Sequence, residues 1–207
     1  LTTDPDDTGE HTALAERLFY HVVAALHSLA YREENGGALR QDWPRVPLPT
    51  TLDGLDASAE LGRCIAALLD PEQPVEGVTA GQIRPDLRDI AVLRRVEGRE
   101  KPLAPSAGDL AVTAGWGYLV RDGTVTMPGH GKLVETDQGS SDIYLNDVAL
   151  WSNVPAEVWD YTLGGYQVLK KWLSYREKEV LGRDLKPEEA RMFTEIARRI
   201  AAILALQ

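Results

Sequence analysis

The hydrophobic pattern of this chain changes period twice, and no other feature of it limits the possible folds so tightly. Leu14, Leu18, Val22, Leu26 and Leu29 recur at three- and four-residue steps, which predicts an amphipathic helix over about residues 10–34. Asn35-Gly36-Gly37 ends it. WPRVPLP at 43–49 must then be extended, because three prolines fix φ and push the residues before them out of the helical region. It reads as a rigid strap. Leu61, Cys64, Ile65, Leu68 and Leu69 form a second stripe that places Cys64 on a buried helical face, closed by Asp70-Pro71.

Over 81–155 the helical period is gone. IAVLRRV, DLAVTAGWGYLV, TVTMPG, KLVET and DIYLNDVALW are short, rich in Val, Thr and aromatics, and separated by Gly, Asp and Pro. Arg121-Asp122-Gly123 makes a hairpin turn. A small antiparallel sheet is expected. After Pro155 the helical period returns: Val158 and Tyr161, then Tyr166, Leu169 and Leu173, predict a short helix broken at Gly164-Gly165 and a longer one ended by Leu181-Gly182. A last helix opens at Pro187-Glu188-Glu189, with proline in the first turn and acids facing the dipole, and turns Phe193, Ile196, Ile200, Ile203 and Leu204 inward. The fold class is α+β, with N- and C-terminal amphipathic helices packed around a small antiparallel β-rich middle.

A chain of 207 residues can bury a substantial core as one domain or two joined subdomains. The longest aliphatic run, IAAILAL, is too short to cross a bilayer, and the polar acidic opening is unlike a signal peptide. One cysteine forms no internal disulfide, which points to a reducing cytoplasm. Leu1 in place of methionine suggests a piece excised from something larger.

The net charge of −10 argues against nucleic acid at face value, since phosphate binding is driven by Lys and Arg releasing counterions. Its distribution says otherwise. Residues 1–80 hold fourteen acids against five bases, and residues 136–164 hold five acids and no base. Residues 81–135 have eight bases against seven acids, and residues 165–207 nine against six. Charge so segregated can present a basic face.

Catalytic motifs are largely missing. His11, His21, His27 and His130 lack metal-ligand spacing and read as packing or surface residues. Pro128-Gly129-His130-Gly131-Lys132 fails as a phosphate loop, because Thr126 stands where the first glycine belongs and Leu133 follows the lysine. No GxGxxG after a strand and no GxSxG elbow occurs. Asp86 with Glu97 would suit a metal-dependent nuclease, yet Arg99 stands where its lysine should be. No catalytic residue and no metal site is assigned.

Three blocks carry a resemblance: LFYHVVAALHSLAYREENGGALRQDWPRVPLP, YLNDVALWSNVPAEVWDYTLGGYQVLKKWLSYREKEVLGR and LKPEEARMFTEIARRIAAIL. Together they resemble the C-terminal specificity domain of single-polypeptide type ISP restriction-modification enzymes and of helicase-fused adenine-specific DNA methyltransferases. The resemblance runs from about residue 14 to 204. It implies a target recognition domain over 14–207; the residue pattern itself sets off an acidic leader over 1–13 and divides the domain into a helical part with the strap (14–80), a β-rich recognition part (81–155) and C-terminal helices (156–207). The resemblance implies a DNA-recognition domain of bacterial defence that is not itself an enzyme, and that directs N6-adenine methyltransferase and nuclease modules to a duplex site. The expected partners are double-stranded DNA and the upstream methyltransferase module. No cofactor is expected in this piece; S-adenosylmethionine, ATP and Mg belong to the upstream modules.

Bases are read by polar and cationic side chains on loops, while phosphate contacts set register. The candidates in the middle segment are Arg94, Arg95, Arg99, Lys101, Trp116, Tyr118, Arg121, Thr124, Lys132 and Gln138. Lys170, Lys171 and Arg176 are candidates for backbone phosphates. Around them, Trp159, Tyr161, Tyr166, Leu169, Trp172 and Leu173 read either as core or as props that hold the basic helix against DNA. Two other functions stay open: a coupling module that docks an upstream methyltransferase without reading bases, and a nuclease at Asp86 and Glu97.

Overall fold

A computed structural model describes residues 5–96, 102–136 and 139–207, without the side chains of residues 5–8 and 40. The chain divides into two compact units, Leu1–Val75 with Ile203–Gln207, and Glu76–Ala202.

The first unit is a helical pair with a strap. Helix α1 spans Pro5–His27, so it reaches back into the acidic leader, and α2 spans Leu29–Asn35. The single helix expected over 10–34 is interrupted at Ser28, whose extended backbone and hydroxyl cap the start of α2 by accepting the Tyr31 amide. Leu29 therefore leaves the α1 stripe and is exposed. Helix α3 spans Leu52–Leu69, capped by Thr51, and buries Leu55, Ala59, Gly62, Ile65 and Leu68. Gly62 is where α1 comes closest, because a Cβ there would overlap the Tyr20 carbonyl. This contact line overturns the expected burial of Cys64: two residues on, about 200° around the helix, its side chain is exposed. The strap lies extended, as its prolines require, and His21 holds it. The imidazole is 2.9 Å from the Pro47 carbonyl at Nε2 and 2.8 Å from the Ser58 hydroxyl at Nδ1.

The second unit holds the β structure. After a short helix α4 (Pro85–Arg88) come strands β1 (Val92–Arg95), β2 (Leu119–Arg121), β3 (Thr124–Thr126), β4 (Leu133–Glu135), β5 (Ser140–Tyr144) and β6 (Ala149–Pro155). Four of them form one antiparallel sheet in the order β1-β6-β5-β4, and β2 and β3 stand apart as a separate ribbon. The β5–β6 register slips between Ser141 and Ile143. Asn153 takes up the bulge at φ +57, its amide donating to the Asp142 carboxylate at 3.2 Å.

Beyond Pro155 the expectation needs correction. Helix α5 (Ala156–Trp159) is followed by strands β7 (Thr162–Leu163) and β8 (Tyr166–Gln167), then α6 (Val168–Ser174), α7 (Lys178–Leu181) and α8 (Pro187–Leu206). Gly164 and Gly165, both at positive φ, form a two-residue hairpin turn rather than a helix break. The longer helix is divided at Glu177, whose backbone is extended. Gly182, at positive φ, ends α7 where a stop was expected.

The core of this unit forms where the central strand meets the helices. Trp151 on β6 stacks on Phe193 of α8 with centroids 4.0 Å apart, and Trp172 of α6 meets Phe193 edge-on at 5.5 Å. Ile143, Leu145, Leu150, Leu169 and Leu173 fill the rest. At the start of α8, Glu189 reaches back to accept the Lys186 amide at 2.8 Å and pairs with both Arg183 nitrogens at 2.6 and 2.9 Å. The Arg183 hydrogen bonds, against an opposing push from burial, hold its carboxyl down at about 2.

Two expectations follow. Gly62→Ala, which in an open helix would gain about 1 kcal/mol, is expected instead to lower stability by about 1–3 kcal/mol in urea denaturation, since α1 must be pushed away. For Glu189 the folded pKa lies below the ordinary value of 4.5. Its stabilising contribution is thus full above that value and fades as the pH falls toward 2. Glu189→Gln should lower stability at neutral pH and flatten the acid limb of a melting-temperature profile across that window.

Candidate nucleic-acid interface

The β2–β3 ribbon is unusual in what it leaves uncovered. Its register pairs Leu119 with Thr126, Val120 with Val125 and Arg121 with Thr124. Asp122 and Gly123 close it at φ +50 and +76, the geometry of a type I′ turn. Val120 and Val125 are 57% and 62% exposed, so this ribbon packs against little in its own unit. An isolated two-stranded hairpin is marginal in water. Its stiffness must come from its root.

The root is well secured. The Gly129 and Gly131 amides donate to the carbonyls of Trp116 and Gly115 at 2.8 and 3.0 Å, extending the pairing below β2 and β3. Glu177 is buried and accepts the amides of Gly115 and Trp116 at 3.0 and 2.8 Å, one on each oxygen. Trp116 is wholly buried, donates its indole N–H to the Tyr144 carbonyl at 2.7 Å and meets Trp159 edge-on at 5.4 Å. Pro128–Lys132, rejected as a phosphate loop, is half of this root. The irregular stretch before it is fastened by Asn146, whose amide uses all four of its bonds: to the carbonyls of Asp109 and Ala111, and from the amides of Val148 and Ala149.

The sequence candidates separate by position. Arg121 and Thr124 face each other at the ribbon tip, exposed, and Arg121 makes no ion pair with a described residue. Tyr118, half exposed at the base, donates to the Glu179 carboxylate at 3.0 Å, and that hydrogen bond raises its phenol. Trp116 must be withdrawn as a base-reading residue, because a fully buried indole cannot reach a groove. Arg94 pairs with Asp142 at 3.1 Å, and Arg95 pairs with Asp109 and donates to the Pro102 carbonyl. Lys132 lies 4.2 Å from the Tyr144 ring centroid and 3.4 Å from Asp147. Lys170 and Lys171 follow β8 on α6, whereas Arg176 stacks on Trp172 at 3.9 Å and burial lowers its pKa. Arg99, Lys101, Gln138 and Glu97 lie outside the described residues. Asp86 pairs with Arg84 at 3.2 Å, and no cluster of three or more metal-ligating side chains occurs among the described residues.

Two residues on which the site depends were not among the candidates. Glu177 and Asn146 carry no motif signal, because the amides that Glu177 accepts lie 61 and 62 residues away and the carbonyls to which Asn146 donates lie 35 and 37 residues away.

A hydrogen-bonded root thus carries a polar-tipped ribbon whose paired valines are exposed. The chain belongs to the Type ISP C-terminal specificity domain family, whose model matches residues 5–204. None of the curated proteins compared with it matches. Two solved structures share the fold. One is a nuclease-deletion mutant of the Type ISP restriction-modification enzyme LlaGI in complex with a DNA substrate mimic, at 16% identity and a TM-score of 0.52. The other is a DrdV–DNA complex solved by cryo-electron microscopy, at 23% identity and a TM-score of 0.50. Each covers 92% of this chain, while this chain spans only 13% and 17% of theirs.

The Glu177 anchor is open to direct measurement. Glu177→Gln keeps the shape but turns one acceptor into a donor facing an amide, so unfolding stability should fall by about 1–3 kcal/mol. Amide exchange in β2–β3 should accelerate more than in β5–β6. Equal acceleration in both would mean that Glu177 is not what stiffens the ribbon.

Proposed function

We propose that this domain recognises a specific sequence in duplex DNA and thereby directs N6-adenine methyltransferase and nuclease modules carried elsewhere in the same polypeptide. The observation that carries the reading is the β2–β3 ribbon. Three residues per strand at about 3.3 Å each give a projection of about 10 Å, comparable to the depth of about 8.5 Å of a major groove that admits a two-stranded ribbon. Arg121 and Thr124 sit where base edges would be met, and the rigid root limits the ordering cost of binding. DNA is present in both structural neighbours, and the family is a specificity domain.

Within this reading the domain performs no chemistry. S-adenosylmethionine, ATP and Mg would be used by upstream modules, and the setting would be the bacterial cytoplasm. No described helix is long and apolar enough to cross a membrane. The net charge of −10 means that phosphate attraction is modest, so binding by this chain alone should be weak and strongly salt-dependent. Docking to the upstream methyltransferase has its own support in the first unit, where Phe19, Trp43, Leu48 and Leu52 are exposed, Trp43 to 86%. Recognition and docking then fall on different units of one domain.

At low salt the 207-residue chain is expected to retard duplex DNA, and Arg121→Ala with Lys132→Ala should abolish any preference among sequences. Exchanging this domain between two relatives with different targets should transfer the methylation site. A chimera that keeps the original site would favour a docking role alone.

A further inference from the structure

A second feature of the Glu76–Ala202 unit lies beside the ribbon. A cavity of about 230 Å³ opens between the chain leaving β3 and the β7–β8 hairpin, lined by Pro128, Gly165, Tyr166, Gln167, Lys170 and Lys171 among others. It falls below the roughly 300–1,000 Å³ typical of small-molecule sites. A nucleotide cofactor is therefore a poor occupant.

The charges around this cavity are unbalanced. The Lys171 ammonium lies 4.8 Å from the Tyr166 ring centroid and 4.7 Å from that of Tyr175, held by two aromatic faces. Neither Lys170 nor Lys171 makes an ion pair with a described residue. Two other lysines of the unit do: Lys132 has Asp147 and Lys178 has Asp184. Asp160 is engaged by the Gln167 amide at 3.0 Å. Adjacent cations without carboxylates repel each other, and an external anion would relieve that repulsion while finding one ammonium already oriented.

Position says which anion. Pro128 is two residues beyond the end of β3, so the cavity wall starts at most about 7 Å along the chain from the ribbon. A ribbon centred in a groove about 12 Å wide has sugar-phosphate strands at about that distance on either side. We propose that this cavity seats a phosphodiester of the strand bordering the groove that β2–β3 enters, with Lys170 and Lys171 as its cationic contacts. The proposal rests on the duplex-recognition reading and adds to it a sequence-independent contact that sets the ribbon's register.

The test uses the 207-residue chain and a random-sequence DNA duplex, since a phosphate contact needs no particular target. Lys170→Gln with Lys171→Gln should make the plot of log affinity against log salt shallower by about one to two units. The weakening should be alike for every duplex, and Lys170→Arg with Lys171→Arg should restore the slope. An unchanged slope in a variant with the circular dichroism of the parent overturns the proposal while leaving recognition intact. Failure of the unaltered chain to bind any duplex at low salt would overturn the recognition reading itself, and this inference with it. Should the glutamine variant not fold, lysine acylation of the unaltered chain decides: duplex should protect Lys170 and Lys171 more than Lys178 and Lys186. Uniform protection argues against the seat, and equal protection by inorganic phosphate would make it a free-anion site instead.

Discussion

A carboxylate withdrawn from water is costly unless its oxygens find donors, and Glu177 finds them in two successive amides of a chain segment 61 residues away. Those amides belong to Gly115 and Trp116, at the foot of β2, so one side chain ties down the root of a hairpin that would be marginal on its own. The same requirement divides the helix that would otherwise run on from α6. With its backbone extended, Glu177 sits between α6 and α7, and the next amide, Lys178, donates to the Val112 carbonyl at 2.7 Å. Helical continuity is given up locally so that an irregular loop has its hydrogen bonds satisfied. The root of the ribbon is fastened by this arrangement.

The distribution of cations makes sense on this frame. Arg94 and Arg95 are drawn toward Asp142 and Asp109 on or beside the sheet, and Arg176 lies flat on Trp172. These groups brace structure. Arg121, Lys170 and Lys171 sit instead on a hairpin tip and along a cleft, paired with no described carboxylate. A total of −10 therefore coexists with a local excess of positive charge, because the acids concentrate in residues 1–80 and 136–164. Net charge governs long-range attraction, while the few cations left unmatched govern where an anion settles.

Several features of the second unit were legible beforehand. Arg121-Asp122-Gly123 announced a hairpin because its positive-φ demands are local. Pro187-Glu188-Glu189 announced a helix start for the same reason, and the buried side of α8 followed from its period. Trp116 went the other way. An aromatic beside glycines in a loop suits a surface contact as well as a core pillar, and only the closure of the 128–131 segment over it made it a pillar. Gly164-Gly165 was also ambiguous, since a glycine pair ends a helix or turns a hairpin with equal ease. The pairing of Thr162 with Gln167 resolved it.

The order of residues alone was enough for the α+β class, the helical ends around a β-rich middle and the strap, because periodicity, proline geometry and turn chemistry act over a few neighbouring positions; the family was legible only through the resemblance of three long blocks. Residue order could not tell an exposed Cys64 from a buried one. That depended on which side of α3 the α1 backbone approaches, and on Gly62 having no Cβ to prevent it. Nor could it separate cations left without a described carboxylate from cations that brace. Pairing with Asp109 or Asp142, burial under a closing loop and attachment to Glu177 are all decided between residues far apart in the chain, and only folding brings them within reach of one another.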